Sequence, residues 1–147
     1  DRPIRNWMGR NQTSRSERET ILLGRKIGQQ LQPPRVILLY GELGSGKTAL
    51  VRGLAEGLGV TDPSLVRSPS YTLVNEYPGA NSTLYHLDFY RLDSLRDFYS
   101  IGLEEILASH AVVIIEWAEK LLLKVENPLT IHIVVEPETG VRQFEIG

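Results

Sequence analysis

The chain has 147 residues, a length that suits one domain with one hydrophobic core. Its 16 Lys and Arg against 18 Asp and Glu give a net charge of −2, which argues against a protein that holds nucleic acid through its phosphates alone. The absence of cysteine excludes disulfides and thiolate metal sites, and no apolar run approaches the roughly 20 residues of a membrane-spanning helix.

The N-terminal residues 1–15 are rich in Arg, Asn and Ser and show no periodicity, so we expect a mobile tail there and a single folded domain over 16–147. Ser16 followed three residues later by Glu19 is a capping-box pattern that predicts the start of a helix. We predict that this helix covers residues 17–31, because apolar side chains recur every four residues at Leu23, Ile27 and Leu31.

A glycine-rich loop at residues 41–48 follows an apolar strand pattern at 36–40 and matches G-x-x-x-x-G-K-[ST]. Its glycines allow positive φ angles and a close approach of backbone N–H groups to phosphate oxygens. Lys47 is suited to reach the β- and γ-phosphates, and the Thr48 hydroxyl to bind Mg²⁺. The loop therefore predicts nucleotide binding. The helix after it has one apolar face, formed by Leu50, Val51, Leu54 and Leu58.

Two β-prone runs at 73–77 and 83–90 predict an antiparallel hairpin with its turn at 78–82. In the second run, alternation puts His86, Asp88 and Tyr90 on one polar face. This face has two interpretations, exposure to solvent or a cluster directed at the nucleotide. His86 taken alone is more often a structural hydrogen-bonding residue than a catalyst.

The continuous apolar run at 112–115 is typical of a strand buried on both faces, and Glu116 follows it directly. One interpretation of Glu116 is a solvated acid at a strand end, but with a phosphate loop upstream we favour a metal-binding acid. Short helices interrupted at Gly102 precede this strand, and a hairpin of 130–135 with 141–146 ends the chain. The predicted fold class is α/β, a single P-loop NTPase domain with a mixed, mainly parallel sheet, helices on both faces and antiparallel hairpins.

Several P-loop classes fit this sequence poorly. It has no [NT]-K-x-D motif for guanine selectivity and is too short for a motor-type ATPase with a sensor region. The hypothesis of a small-molecule kinase is weakened because Arg91 and Arg96 are the only basic residues between Arg67 and Lys120. Two arginines are few for the Arg-rich lid of such a kinase. A kinase and a non-catalytic, ATP-gated adaptor stay open as alternatives.

Five stretches together resemble the TsaE (YjeE) family: 41–48, 68–74, 85–91, 102–106 and 115–120. The set S-P-S-Y-T, H-x-D-x-Y-R and E-W-x-E is more specific than the phosphate loop alone. The resemblance implies a Mg²⁺-dependent ATPase that supports threonylcarbamoyl modification of tRNA adenosine 37 in a complex with TsaD and TsaB. Contact with tRNA would be indirect. Since no segment has the pattern of a signal peptide, we expect a cytoplasmic protein.

The resemblance also implies roles for individual residues. The residues that would wrap the phosphates are Gly44, Ser45, Gly46, Lys47, Thr48 and Ala49. Thr48 and Glu116 would hold Mg²⁺, Thr72 would contact the γ-phosphate or the metal, Asp88 would position the attacking water, and Trp117 would lie near the nucleotide. The residues that would approach the adenine are Glu17, Gly140 and Arg142.

The mechanism we expect is in-line attack of water on ATP, with Lys47, Mg²⁺ and backbone N–H groups stabilising the transition state. No arginine finger can be named from the sequence, and Arg67 is the nearest candidate in the chain itself. Because such a finger is worth about 10³–10⁵ in rate, we predict slow hydrolysis by the isolated protein and stimulation by its partners.

Overall fold

The computed structural model describes residues 10–42, 44–69, 72–80, 82–92, 95–120 and 125–147. Predictions that concern residues 1–9, Leu43, Ser70, Tyr71 and Asn81 lie outside these ranges. The strands are β1 Arg10–Ser14, β2 Arg35–Gly41, β3 Val74–Pro78, β4 Thr83–Asp88, β5 Val112–Glu116, β6 Leu129–Val135 and β7 Arg142–Ile146. The helices are α1 Glu17–Gln30, α2 Lys47–Gly57, α3 Leu95–Ser100 and α4 Leu103–Ala108.

The strands form one seven-stranded sheet in the order β1-β7-β6-β2-β5-β4-β3. The four central strands, β6-β2-β5-β4, pair in parallel, whereas the pairs β1-β7, β6-β7 and β3-β4 are antiparallel. This mixed α/β domain confirms the predicted fold class and both predicted hairpins, although three of the six strand pairs are antiparallel, so the sheet is less parallel than predicted. Its parallel part is confined to the centre, where every residue of β5 is buried.

Helices cover both faces of the sheet. On one face, α1 and α2 pack over the inward side chains of the central strands, including Ile37, Leu39 and Ile114. On the other face, Leu103 and Ile106 of α4 pack with Leu38, Val113 and Ile115. Within the described ranges, no helix has both the length and the apolar character needed to cross a bilayer.

The expectation of a mobile tail over 1–15 is wrong for residues 10–14. These residues form strand β1, which pairs antiparallel with β7 from Arg10 opposite Ile146 to Ser14 opposite Arg142. The buried Ser14 hydroxyl also hydrogen-bonds to Thr20 of α1 at 2.7 Å. Backbone pairing with a sheet edge holds this segment, which explains why its polar sequence carries no apolar periodicity.

The first helix begins as the capping box predicts. The Ser16 side chain accepts a hydrogen bond from the Glu19 N–H at 3.0 Å, and the Glu19 side chain accepts one from the Arg15 N–H at 2.9 Å. The helix ends at Gln30, one residue before the predicted end. Glu17 is therefore fixed at the N-terminus of α1, on the face of the sheet that also carries the phosphate loop.

Candidate nucleotide-binding site

The glycine-rich loop joins the end of β2 at Gly41 to the start of α2 at Lys47. Gly44 and Gly46 have φ angles of +79° and +101°, a region that favours glycine over other residues. A Cβ built on Gly44 would meet no atom within 4 Å, so open space lies beside the loop. No side chain caps α2 at Gly46, and the first N–H groups of a helix have no partner within it. This geometry suits an anion.

Lys47 is buried at the start of α2, with only 8% of its surface exposed. Its Nζ donates a hydrogen bond to the Gly41 carbonyl oxygen at 2.7 Å and lies 3.5 Å from Oε1 of Glu116. The same ammonium lies 5.4 Å from the centre of the Trp117 ring. The phosphate loop and the acid at the end of β5 therefore meet, as the sequence predicts.

Glu116 is held by a second buried partner, His86 of β4. Nε2 of His86, a fully buried side chain, lies 2.5 Å from Oε2 of Glu116. Burial by itself would raise the pKa of Glu116, but the hydrogen bond and charge of His86, with the charge of Lys47, hold this pKa below its ordinary value. Glu116 is therefore a carboxylate with one oxygen bound to His86 and the other directed at Lys47.

Asp88 ends β4 directly beside Glu116, since the two residues are register partners across the β4-β5 pair. Its side chain is only 4% exposed, and Oδ1 accepts a hydrogen bond from the Tyr90 N–H at 2.9 Å. Exposure to solvent, one of the two interpretations of this face, is therefore wrong for His86 and Asp88, whereas Tyr90, the third residue of the face, is 53% exposed. The His86 and Asp88 side chains lie at the buried, carboxyl-terminal edge of the sheet.

A cavity of about 370 Å³ opens over this edge. The predicted site residues that line it are Glu17, Gly44, Gly46, Lys47, Thr48, Ala49, Asp88, Glu116, Trp117 and Arg142. Ser68 and Tyr90 also line it, although neither is among the site residues predicted from the sequence. The signal for Tyr90 was its place in the alternating series that begins at His86. Its ring lies 4.8 Å from that of Trp117, at 45°.

The ends of α1 and β7 close two sides of this cavity. Oε1 of Glu17 lies 3.8 Å from a guanidinium nitrogen of Arg52. Arg142, at the start of β7, donates from Nε to the Ser45 carbonyl oxygen at 2.9 Å and so braces the loop. The φ of +101° favours glycine at position 46, and a Cβ there would lie 2.6 Å from this Nε, so a larger residue would also require the Arg142 side chain to move.

Three predicted residues do not line the cavity. Ser45 is buried in the loop and contacts Arg142 through its carbonyl. Thr72 is exposed and donates its hydroxyl to Asn75 at 2.6 Å. Gly140 lies in the turn between β6 and β7, where its φ of +74° serves the turn. Arg67, the candidate arginine finger, is exposed and also lies off the cavity wall.

The residues present fit a nucleoside triphosphate with Mg²⁺. The start of α2 offers N–H groups that have no partner within the helix, open space lies beside Gly44, and Lys47 offers a buried positive charge. Mg²⁺ at such sites is bound by one or two protein oxygens together with substrate phosphates. The hydroxyl of Thr48 and the carboxylate of Glu116 line the same cavity and are oxygen ligands of that kind.

Comparison with known proteins gives one consistent result. The family model described as threonylcarbamoyl adenosine biosynthesis protein TsaE matches residues 14–144. The chain is 42% identical over 135 residues to the tRNA threonylcarbamoyladenosine biosynthesis protein TsaE of Treponema pallidum, which covers 91% of this chain and 97% of that relative. It is 41% identical to the Nostoc protein of the same name, covering 86% of this chain and 78% of the relative.

A solved structure gives the same fold. The crystal structure of Bacillus subtilis YdiB superposes with a TM-score of 0.75 and 29% identity, covering 92% of this chain and 82% of that chain. The structural match therefore extends over most of this chain.

Proposed function

This chain belongs to the TsaE family of tRNA threonylcarbamoyladenosine biosynthesis, and from that premise we propose that it binds and hydrolyses ATP with Mg²⁺. The observation that carries the proposal is the 3.5 Å approach of Lys47 Nζ to Glu116 Oε1 beside the open glycine-rich loop. It puts a phosphate-binding cation and an oxygen ligand for a metal at one point. A Gly-rich turn that matched the motif by accident would not need this pairing.

In this proposal, each residue of the site has a separate task. The N–H groups at the start of α2 bind phosphate oxygens, and Lys47 adds a positive charge whose attraction to these oxygens becomes stronger in the transition state. Thr48 and Glu116 would hold Mg²⁺, which would supply positive charge to neutralise the phosphates. His86 keeps one oxygen of Glu116 engaged, so that the carboxylate presents the other to the cavity.

Asp88 is the group proposed to orient the attacking water. It is buried at the end of β4, next to Glu116 and on the cavity wall, and its Oδ1 is fixed by the Tyr90 N–H. A fixed carboxylate can accept a hydrogen bond from water and hold it in line with the bond that breaks. Trp117 and Tyr90, whose rings contact each other on the cavity wall, limit the access of bulk water.

We propose that the isolated protein turns over slowly. Among the described residues on the cavity wall, Arg142 is the one arginine, and its Nε is engaged with the Ser45 carbonyl. A partner protein would then complete the site, and the TsaD and TsaB components of the same biosynthesis are the proposed partners. With a net charge of −2, the chain would meet tRNA through that complex.

Calorimetric titration with MgATP tests the proposal. Lys47→Ala should lower the affinity about 10- to 100-fold, because a hydrogen bond from a charged group contributes about 1.5–3 kcal/mol. Lys26→Ala, which removes an exposed lysine from α1, should bind as the wild type does. Equal affinity of the two variants would remove the phosphate role of Lys47.

Product analysis separates ATP hydrolysis from the alternatives. Release of free phosphate, increased when TsaD and TsaB are added, supports the ATPase. A phosphorylated acceptor would identify a kinase instead. Undiminished tRNA modification over many turnovers with a non-hydrolysable ATP analogue would identify an adaptor.

A further inference from the structure

A second cavity, of about 840 Å³, lies on the other side of the phosphate loop. It shares Gly44 and Trp117 with the nucleotide cavity. Its remaining lining residues come from the ends of β2 and β6, from the turns that follow them and from the turn after β5: Tyr40, Gly41, Glu42, Ser45, Glu119, residues 132–135 and Pro137. The proposed nucleotide function uses none of the side chains of Tyr40, Glu42, Glu119, His132 or Val134.

The sheet face that carries this cavity is uncovered over β6. The core cluster on that face includes side chains of β2, β4, β5 and α4, but within the described residues none from β6 or β7. His132 and Val134 therefore point outward, and 63% of the Val134 surface is exposed. The Tyr40 and His132 rings stack at 4.5 Å with an angle of 12°. The result is an exposed aromatic and apolar surface beside the loop.

The charged groups at this surface are acidic. Glu42 and Glu119 line the cavity, and its described lining contains neither Lys nor Arg. Burial is the main cause that raises the pKa of Tyr40, and the negative charge of Glu119 is the second cause. The charge of Glu119 therefore acts on the aromatic side chain of Tyr40 in this cavity. Two lysines lie near this surface, and both are already engaged with other groups. Lys120 donates to the Tyr90 and Leu92 carbonyls, and Lys47 lies beside the Trp117 ring and bonds to Gly41.

We infer that this second cavity is the docking site for a protein partner that inserts an arginine side chain with apolar neighbours. A guanidinium group stacks on aromatic rings and pairs with carboxylates, and the cavity presents Tyr40 and Trp117 together with Glu42 and Glu119. The apolar neighbours of the arginine would cover Val134. Desolvated pockets that hold an aromatic or arginine anchor are the usual centres of protein interfaces.

The shared wall couples this docking site to the nucleotide. Trp117 has a φ of +57°, an uncommon angle for a residue other than glycine, and it directly follows Glu116. An occupant that shifts Trp117 or Gly44 would alter the nucleotide cavity as well. Partner and MgATP should then change each other's affinity by the same factor. The inference rests on the proposed function, since it supplies the surface through which that function is regulated.

Charge reversal tests the docking site. The probe is the purified TsaD–TsaB complex encoded by the same genome, titrated with this protein in the presence of MgATP. Glu119→Lys and Glu42→Lys should raise the Kd for the complex at least tenfold, and Glu119→Gln should have a smaller effect. Glu104→Lys, an exposed glutamate of α4 away from the cavity, is the charge-matched control and should change the Kd less than twofold.

Two further readouts keep the inference distinct from the proposed function. Glu119→Lys should bind MgATP as the wild type does, because Glu119 lies outside the nucleotide cavity. Wild-type binding to the complex with unchanged binding of both lysine variants overturns the docking site and leaves the ATPase proposal standing. Failure of the wild type to bind at all, with or without MgATP, overturns the proposed partners and the inference with them.

A photo-crosslinking residue at position 134 identifies the occupant directly. The expected product joins this protein to a partner peptide with an arginine within a few residues of the crosslink. A peptide without arginine, or a crosslink between two copies of this chain, overturns the inference.

Discussion

The contact between α1 and α2 predicts an unusually large effect for the smallest core substitution. Gly24 and Gly28 of α1 face Gly53 and Gly57 of α2, so the two backbones touch. A Cβ on Gly24 would lie 2.5 Å from the Leu50 carbonyl oxygen and 2.9 Å from the Leu54 nitrogen, where ordinary contact begins at 3.4 Å. These are backbone atoms, so Gly24→Ala requires the helices to move apart.

The magnitude follows from two opposing terms. Alanine is favoured over glycine inside a helix by about 1 kcal/mol. Overpacking a core costs about 1–3 kcal/mol, and the upper end applies because no flexible side chain can move aside. We expect Gly24→Ala to lower the free energy of unfolding by about 2 kcal/mol. For a domain of this size, that corresponds to a decrease in Tm of about 4–8 °C.

Urea unfolding followed by circular dichroism measures this change, with the slope compared to verify two-state behaviour. Gln29→Ala, at an exposed position of the same helix, is the control and should stay within about 0.5 kcal/mol of the wild type. If Gly24→Ala were as stable as the wild type, the helices would have slack, and the close backbone contact could not be what fixes α1 and Glu17 at the cavity.

Three predictions concern the polar end of the sheet. Asp88→Asn keeps an acceptor for the Tyr90 N–H, so the affinity for MgATP in calorimetry should change less than about threefold. The rate of phosphate release should fall about 10²-fold or more, because the carboxylate that orients water is lost. Equal losses of affinity and rate would mean that Asp88 only shapes the pocket. His86→Phe should weaken Mg²⁺-dependent nucleotide binding more than His86→Gln, which retains a hydrogen-bond donor to Glu116. Identical titrations of the two variants would contradict the role of His86 in holding the Glu116 carboxylate. The pKa of Glu116 in the folded state is lowered from 4.5, so its contribution to stability is present above pH 4.5 and is lost as the pH falls below that value. In acid titrations, the free energy of unfolding of Glu116→Gln should therefore fall less steeply below pH 4.5 than that of the wild type. Parallel curves would contradict the lowered pKa.

The sequence predicts the parts of this molecule whose signals are local. The strand before the loop, the helix after it, the buried strand that ends in Glu116 and both hairpins are confirmed, because periodicity and turn chemistry depend on neighbours in the chain. The β1 strand was missed, because its order comes from pairing with β7, more than 120 residues away, and from no apolar pattern of its own. Leu23 and Ile27 marked the inner face of α1, but the backbone contact at Gly24 depends on the partner helix.

The site divides in the same way. A motif identifies Lys47 and Thr48, whereas the hydrogen bond from His86 to Glu116 can be predicted only if β4 is known to lie beside β5. That neighbour relation places His86 opposite Ile114 and Asp88 opposite Glu116. Alternation along β4 put His86 and Asp88 on one face but left open whether solvent or protein surrounds their side chains. Burial resolved that question, since a polar strand face is solvated at a sheet edge and paired when it is enclosed.

The enclosed cluster also bears on how nucleotide binding would proceed. A carboxylate that is 3% exposed is costly to bury unless its charge is compensated, and here Lys47 and His86 compensate it. In the proposed function, the phosphates would compete with Glu116 for Lys47, because one ammonium cannot fully serve both anions. The carboxylate oxygen released from Lys47 would then need a new cation, and Mg²⁺ arriving with the nucleotide is such a cation. Nucleotide without metal should therefore bind more weakly, because it would leave Glu116 as a buried charge with His86 as its remaining partner.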